Sequence, residues 1–308
     1  MEPMLAIDLK PGTPKFDTIT NDPNYVMEPK LDGWRAILTV TPAKNIFLQS
    51  RTGKDLLGKV PHIQAALSDF EAILRPGFYD MELGVPVEGL TYPQIDYNAT
   101  ARVLGSLPQE AVRKANENNW VVNGFVFDYL PWSDEPCVDL VPYAHRKESL
   151  PFMPLPKYFK NVYDYGPYDE VVFNYMVENG GEGIMLKNLR SSYVPGKRPV
   201  NTWYKVKKFD TMDVYVVGAE YGEGKYFDTV GALVFDTDPN GFGIGRCSGM
   251  TDDERNEWAE LIFVPGTASW CHEINPIWRK IEIKYYGFVG KDKKGLRHPQ
   301  YLKWKKPE

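Results

Sequence analysis

The chain has 308 residues, 43% of them hydrophobic and 14% aromatic, and a formal net charge of −5 at pH 7. That length suits one large domain or two medium ones, with enough apolar residues for packed cores. No apolar run is long enough for a transmembrane helix, and MEPMLAIDLKPGTPKFD at the N-terminus has neither the basic nor the apolar region of a secretory signal. The three cysteines, Cys137, Cys247 and Cys271, form no CxxC pair, which speaks against a zinc module and suits a reducing cytoplasm.

In chain order, the first notable stretch is EPKLDGWRAIL (28–38). Asp-Gly between apolar residues is a strong hairpin signal, with Gly33 taking the positive φ of a type I′ turn. On that reading Lys30 and Arg35 are solvated charges; on the other, Lys30 is a nucleophile beside a tight turn. RAILTV (35–40) and NIFLQSRTG (45–53) read as paired strands. HIQAALSDFEAIL (62–74) places Ile63, Leu67, Phe70 and Leu74 at helical spacing. FYDMEL (78–83) and NGFVFDYLPW (123–132) read as strands around a helix at 107–119. DEVVFNYMVENGG (169–181) is a helix stopped by Gly180 and Gly181. GIMLKN (183–188) and TWYKVKKF (202–209) are strands again.

After Asp210 the texture changes to short strands with glycine-rich turns: DVYVVGAEYGEG, VGALVFDT, GFGIGRCS and IEIKYYGFV. One helix interrupts them, begun by a Thr251–Glu254 capping box. This pattern suits a small Greek-key barrel of the OB type. The expected fold class is therefore α+β, with domains at 1–210 and 211–308; a single α+β domain is the alternative. Charge is uneven. Residues 279–308 hold ten Lys/Arg against three Asp/Glu, and 185–210 hold seven against one, whereas 211–278 hold three against twelve. The basic segments are either solvated surface or a face that tracks a phosphate backbone.

Several scattered residues could carry chemistry. SRTG (50–53) is a turn with an arginine, Arg51. YDMELG (79–84) sets Asp80 and Glu82 on one face of a strand. FVFDYL (125–130) offers Phe127, EGIMLK (182–187) sets Glu182 at a helix–strand junction, and WYKVKK (203–208) puts Lys205 and Lys207 on one strand face. Singly, each has a plainer reading as surface charge or core. Together the residue types suit one task, holding a nucleoside triphosphate over a lysine. Lysines meet growing phosphate charge, acids hold a hard cation through oxygen, and an aromatic face stacks a base.

This ordered set resembles the covalent nucleotidyltransferase superfamily, and most closely the small, bacteriophage-like ATP-dependent DNA ligases. The resemblance covers nearly the whole chain and rests first on KLDGWR (30–35). It implies an adenylation domain of antiparallel sheets and helices followed by a β-barrel OB-fold domain. It implies Lys30 as the residue that becomes AMP-lysine, Glu28 at the adenine amino group, Arg35 at the sugar, and Arg51 at the ribose or the nick phosphate. Glu82 would bind the ribose hydroxyl, Phe127 would stack on adenine, and Lys205 and Lys207 would bind the α-phosphate. Metal is implied at Glu182, Asp32 and Glu82, with Mg²⁺ the expected ion and Mn²⁺ a substitute. GALVFDT, GIGRCSGMTDDER and GLRHPQYLKWKK look like the OB domain of these ligases. The family's last motif usually reads arginine-x-arginine followed by Asp-Lys; this chain has Lys303 and Lys305, then Pro307 and Glu308, so those two lysines are the expected pyrophosphate contacts.

The implied activity is sealing of 5′-phosphate/3′-hydroxyl nicks in duplex DNA with ATP, by a cytoplasmic monomer without membrane association. RNA ligases and mRNA guanylyltransferases share KxDGx-type motifs, but GLRHP and EGIMLK favour a DNA ligase. An NAD⁺-dependent ligase is disfavoured because its zinc-binding cysteines and extra domains are absent. A non-catalytic OB protein is disfavoured by the full set from Glu28 to Lys207.

Overall fold

A computed structural model describes residues 1–133, 141–262, 279–289 and 295–305. Cys137, Cys271, Pro307 and Glu308 lie outside the described residues. The chain divides into two compact units, Met1–Lys207 and Lys208–Glu308. Both mix strands and helices, so the α+β expectation holds. Among the described residues no helix is long and apolar enough to cross a membrane.

The first unit runs β1 (Ile7–Asp8), α1 (Pro14–Thr20), β2 (Tyr25–Pro29), β3 (Trp34–Val40), β4 (Ile46–Ser50), α2 (Pro61–Phe70), β5 (Gly77–Pro86), β6 (Ile95–Asp96), α3 (Tyr97–Leu104), α4 (Pro108–Asn118), β7 (Asn123–Pro131), α5 (Tyr143–Ser149), β8 (Phe159–Asn161), α6 (Glu170–Glu178), β9 (Gly183–Asn188) and β10 (Trp203–Lys207). These strands build two main sheets, ordered β1-β10-β9-β2 and β4-β3-β5-β7-β8. One face of the larger sheet buries Ala36, Leu38, Met81 and Val126 against Ile63 and Leu67 of α2, Val103 of α3 and Ala111 of α4. The smaller sheet buries Met27, Ile184 and Tyr204 with Ile19 of α1 and Phe173 of α6. A third cluster draws Val26 and Trp203 of the small sheet together with Leu130 of the large one, Tyr143 and Tyr193. Trp203, with Phe127 and Met185 packed against this cluster, also lines the candidate site.

Of the two readings of Asp32-Gly33, the hairpin does not form. β2 and β3 belong to different sheets, so residues 30–33 cross between sheets instead of reversing within one. Gly33 is not among the residues of positive φ. It is needed for another reason: a Cβ there would stand 2.4 Å from the Leu83 carbonyl oxygen and 2.9 Å from Glu82 Cγ. The crossing is pressed onto β5, and a side chain would force it off.

The second unit runs β11 (Asp210–Tyr221), β12 (Val230–Asp236), β13 (Gly245–Cys247), α7 (Asp252–Ile262), β14 (Lys280–Tyr285), β15 (Phe288–Val289), β16 (Gly295–Leu296) and β17 (Gln300–Trp304). Five strands pair antiparallel in the order β13-β12-β11-β14-β17. A bridge between Ser248 and Gln300 joins the two outer strands, and Tyr301 N–H donates to Ser248 O at 2.8 Å. The two ends of the sheet thus meet at one point, in line with the small barrel of the OB expectation. Val214, Val216, Leu233, Phe235, Ile281 and Ile283 fill the interior with Trp258 and Ile262 of α7. The capping box forms: Thr251 N–H donates to Glu254 Oε2 at 2.7 Å, and Glu254 N–H donates to Thr251 Oγ1 at 3.2 Å.

Candidate active site

A cavity of about 210 Å³ in the first unit is lined from both of its main sheets. Its walls include Glu28, Lys30, Arg35, Arg51, Glu82, Phe127, Lys205 and Lys207, residues separated by up to 179 positions in sequence and singled out there as one set. Lys187, Arg198 and Trp203 line it too. Seven cationic side chains against two carboxylates give the cavity a strongly positive field, suited to a polyanion such as a triphosphate. Asp32 does not line it. Lys303 and Lys305 belong to the second unit, where Lys303 lies 3.2 Å from Glu282 and Lys305 lies 2.8 Å from Asp213.

Lys30 follows β2. Its backbone N–H donates to Gly183 O at 2.9 Å, which ties the crossing to the start of β9. Gly183 has φ +142°, and a Cβ there would meet the Val206 carbonyl oxygen at 2.1 Å. No other residue type fits between β9 and β10 at that point. Glu182, the next residue back, is thereby aimed at the lysines. Its Oε2 accepts from Lys30 Nζ, and its Oε1 lies 2.5 Å from Lys207 Nζ. Burial raises the Glu182 carboxyl pKa, but the two ammonium groups lower it more, so the net shift is downward.

Arg35 sits on β3 opposite Glu82 of β5. Strand alternation sends Asp80 to the same face, and its carboxylate takes a fork from Arg35, Nε at 2.5 Å and Nη2 at 2.6 Å. Tyr193 donates to the same carboxylate at 2.6 Å. Burial works against the Arg35 charge, and Asp80 more than offsets it. Glu82 differs. It has no ion-pair partner among the described residues, and burial pushes its carboxyl up to about 8, against the pull of Arg35 and Lys30. Phe127 owes its place to a β-bulge. Asp80 pairs with Asp128 and Met81 with Val126, which leaves Phe127 unpaired on β7. Bulges re-aim side chains, and Phe127 is the partly exposed residue in an otherwise buried run from Asn123 to Leu130.

Glu28 is buried at the bottom of the cavity, 1% exposed. Lys187 Nζ lies 2.8 Å from its Oε2, Lys147 Nζ donates to its Oε1 at 2.6 Å, and the Tyr143 hydroxyl donates to Oε1 as well. Lys187 Nζ also stands 4.4 Å from the ring centres of both Phe127 and Trp203. Sequence reasoning assigned Lys187 no role and missed Tyr143, Lys147, Arg198 and Trp203. Residues 143–149 carry no expectation from sequence; in the structure they form α5, whose buried residues Tyr143, Arg146 and Lys147 lie within about one helical turn. That spacing was the available signal.

The described residues contain no group of three or more His, Cys, Asp or Glu side chains able to hold a metal ion. Among the described residues no cage of protein ligands alone is present. Glu82, an unpaired carboxylate facing a cationic cavity, fits the other mode, in which one or two carboxylates share a hard cation with phosphate oxygens.

Known proteins resemble this chain in sequence and in fold. A DNA ligase 2 from Haloquadratum walsbyi is 28% identical over 251 residues, 77% of this chain and 38% of the relative. A DNA ligase from Methanocorpusculum labreanum is 38% identical over 135 residues, 42% of this chain and 24% of the relative. The chain thus covers well under half the length of these curated relatives. Among solved structures, one from work on DNA binding by the minimal scaffold of Lig E DNA ligases aligns with a TM-score of 0.67 at 19% identity, over 99% of both chains. The ATP-dependent DNA ligase of bacteriophage T7 in complex with ATP aligns with a TM-score of 0.50 at 17% identity, over 99% of this chain and 98% of that one. Both share its fold. The family model for the ATP dependent DNA ligase domain matches residues 3–207, the whole unit that carries the cavity, and the chain belongs to that family.

Proposed function

We propose that this chain is an ATP-dependent DNA ligase that seals 5′-phosphate/3′-hydroxyl nicks in duplex DNA. The observation that carries the reading is Lys30 held against Glu182 on the wall of a cationic cavity whose floor is Glu28 and whose side is Phe127. In the first step Lys30 Nζ attacks the α-phosphorus of ATP. The ammonium first gives up a proton, with Glu182 the carboxylate in contact to receive it; the neutral amine then forms the N–P bond, the bond to pyrophosphate breaks, and a second proton leaves Nζ to solvent. AMP then passes to the 5′-phosphate at a nick, and the 3′-hydroxyl displaces it.

In this reading Glu28 meets the adenine amino group and Phe127 stacks on the base. Arg35, rigid on Asp80, faces the sugar with Glu82. Lys205 and Lys207 meet the α-phosphate, and the exposed Arg51 and Arg198 meet outer phosphates or the nick. Magnesium arriving with the nucleotide would be held by Glu82, with Glu182 once its lysines turn to phosphate, and would supply charge neutralisation. Residues 1–210 act as the adenylation domain and 211–308 as an OB domain whose Lys303 and Lys305 serve pyrophosphate departure. Contacts to backbone phosphates make sealing indifferent to sequence. The protein works as a monomer in the cytoplasm.

The test is direct. The chain, ATP, a divalent cation and a nicked duplex should give sealed strand with release of AMP and pyrophosphate. Absence of sealing, or sealing with NAD⁺ and not ATP, overturns the reading.

A further inference from the structure

Lys147 does not line the cavity, yet it grips the one carboxylate at the cavity's floor. It comes from α5, and its Nζ also donates to Val162 O at 2.5 Å. Tyr143, one turn earlier, donates to the same Glu28 oxygen. A carboxylate offers four acceptor positions, two on each oxygen. Tyr143 and Lys147 fill both on Oε1. Lys187 fills one on Oε2. Among the described residues, one acceptor position on Oε2 stays open, on a group that lines the cavity.

We infer that Lys147 is a positioning residue for base selection: with Tyr143 it saturates Glu28 Oε1 and keeps Glu28 an acceptor with one open position, which admits a purine bearing an amino group there and rejects one bearing an oxo group. The inference rests on the proposed nucleotide reading and extends it to how the base is chosen. An ionised carboxylate accepts hydrogen bonds and cannot donate. A 6-amino purine supplies the missing donor. A 6-oxo purine would set carbonyl oxygen against carboxylate oxygen in a buried place, where an unmet polar pair is costly.

Glu28 is held ionised against its surroundings. Burial raises its pKa, and Lys187 with Lys147 lowers it more, for a net shift downward. The charged and titratable groups around it are Lys147, Lys187 and the neutral Tyr143, with Asp128 and its partner Arg146 beyond. Removal of Lys147 takes away one of two cations. That raises the Glu28 pKa and increases the share of neutral acid, whose O–H a 6-oxo group accepts.

The experiment measures covalent transfer of label to the full chain from α-labelled ATP and from α-labelled inosine triphosphate, at several pH values. The wild type should prefer ATP by roughly a hundredfold or more. Lys147→Met should lower that ratio about tenfold, and more so at lower pH, where Glu28 is more protonated. Lys147→Arg should restore the ratio. Tyr143→Phe, which opens a position on Oε1, should lower it as well, and serves where Lys147→Met melts at the assay temperature. Equal loss with both nucleotides in Lys147→Met and Tyr143→Phe, with the ratio and its pH dependence unchanged, overturns this inference while leaving the ligase reading intact. Absence of label from either nucleotide in the wild type overturns both.

Discussion

Lys30 Nζ donates to Glu182 Oε2 across 152 residues of chain. Two glycines make the meeting feasible. Gly33 lets the crossing that bears Lys30 press onto β5, and Gly183 lets β9 begin against β10 directly after Glu182. The candidate nucleophile and its carboxylate partner are thus placed by backbone packing, before any nucleotide contributes.

Replacement of Glu182 by Gln keeps the shape and removes the charge shared by Lys30 and Lys207. Nick sealing should fall by about a hundredfold or more, the scale of one lost electrostatic contact to a transition state. Folding stability should fall as well, since two partly buried ammonium groups lose their counterion. The acid limb carries a sign. The Glu182 pKa lies below its ordinary 4.5, so its stabilisation is present above that value and lost as pH falls below it. Thermal transitions of parent and variant should therefore converge in acid. Parallel curves would remove Glu182 from the ion-pair role.

Glu82 should behave in the opposite way. Its carboxyl is raised from 4.5 to about 8, so the folded state loses stability as pH climbs through that window. Glu82→Gln should match the parent near pH 4 and exceed it by roughly 1–3 kcal/mol near pH 9. Chemical unfolding at the two values is the measurement. A variant less stable than the parent at pH 9 would show that Glu82 is satisfied in the free protein.

Gly33→Ala tests the crossing itself. The added methyl would stand 2.4 Å from a backbone oxygen, and overpacking of this kind typically costs about 1–3 kcal/mol. Transfer of AMP to the protein should drop further than stability explains, since Lys30 moves with the crossing. Unchanged melting and unchanged adenylation would mean that the crossing has room to shift.

Much of this was legible in sequence because strand alternation survives local context. The strand at 183–188 was expected at the bounds that β9 occupies, and Asp80 and Glu82 share a face as period-two geometry demands. The failures share one cause. Asp32-Gly33 has the local chemistry of a hairpin turn, but whether β2 and β3 join one sheet is decided by long-range pairing, to β9 for one and to β5 for the other. Phe127 could be named, yet not the bulge that exposes it, because the bulge is a mismatch between two strands and belongs to neither alone. α3 was missed although Asp96 caps it, its side chain accepting from Ala99 N–H. Lys147 and Tyr143 escaped because their spacing within a short polar stretch is a weak signal, and only the packing of α5 onto Glu28 shows which turn is buried.

Lys303 and Lys305 both reach Glu282, with Nζ–Oε2 separations of 3.2 and 3.8 Å, so they share one face of the second unit. Such exposed pairs are screened by solvent and add little stability, and the double change Lys303→Ala, Lys305→Ala should melt near the parent. It should slow self-adenylation strongly and spare sealing of a nick that already carries AMP on its 5′-phosphate, assayed at low salt. Equal loss in both assays would assign these lysines to DNA contact and leave pyrophosphate departure to another residue, with Arg297 the next to test.

The most direct measurement of the central claim is the site of covalent modification. The purified chain, incubated with ATP and a divalent cation and then digested, should yield one peptide heavier by one AMP, with the modification on Lys30. Lys30→Ala, shown folded by its thermal transition, should yield none and seal no nick in the presence of ATP. AMP found on another lysine, or persistent labelling of the Lys30→Ala protein, would contradict the account.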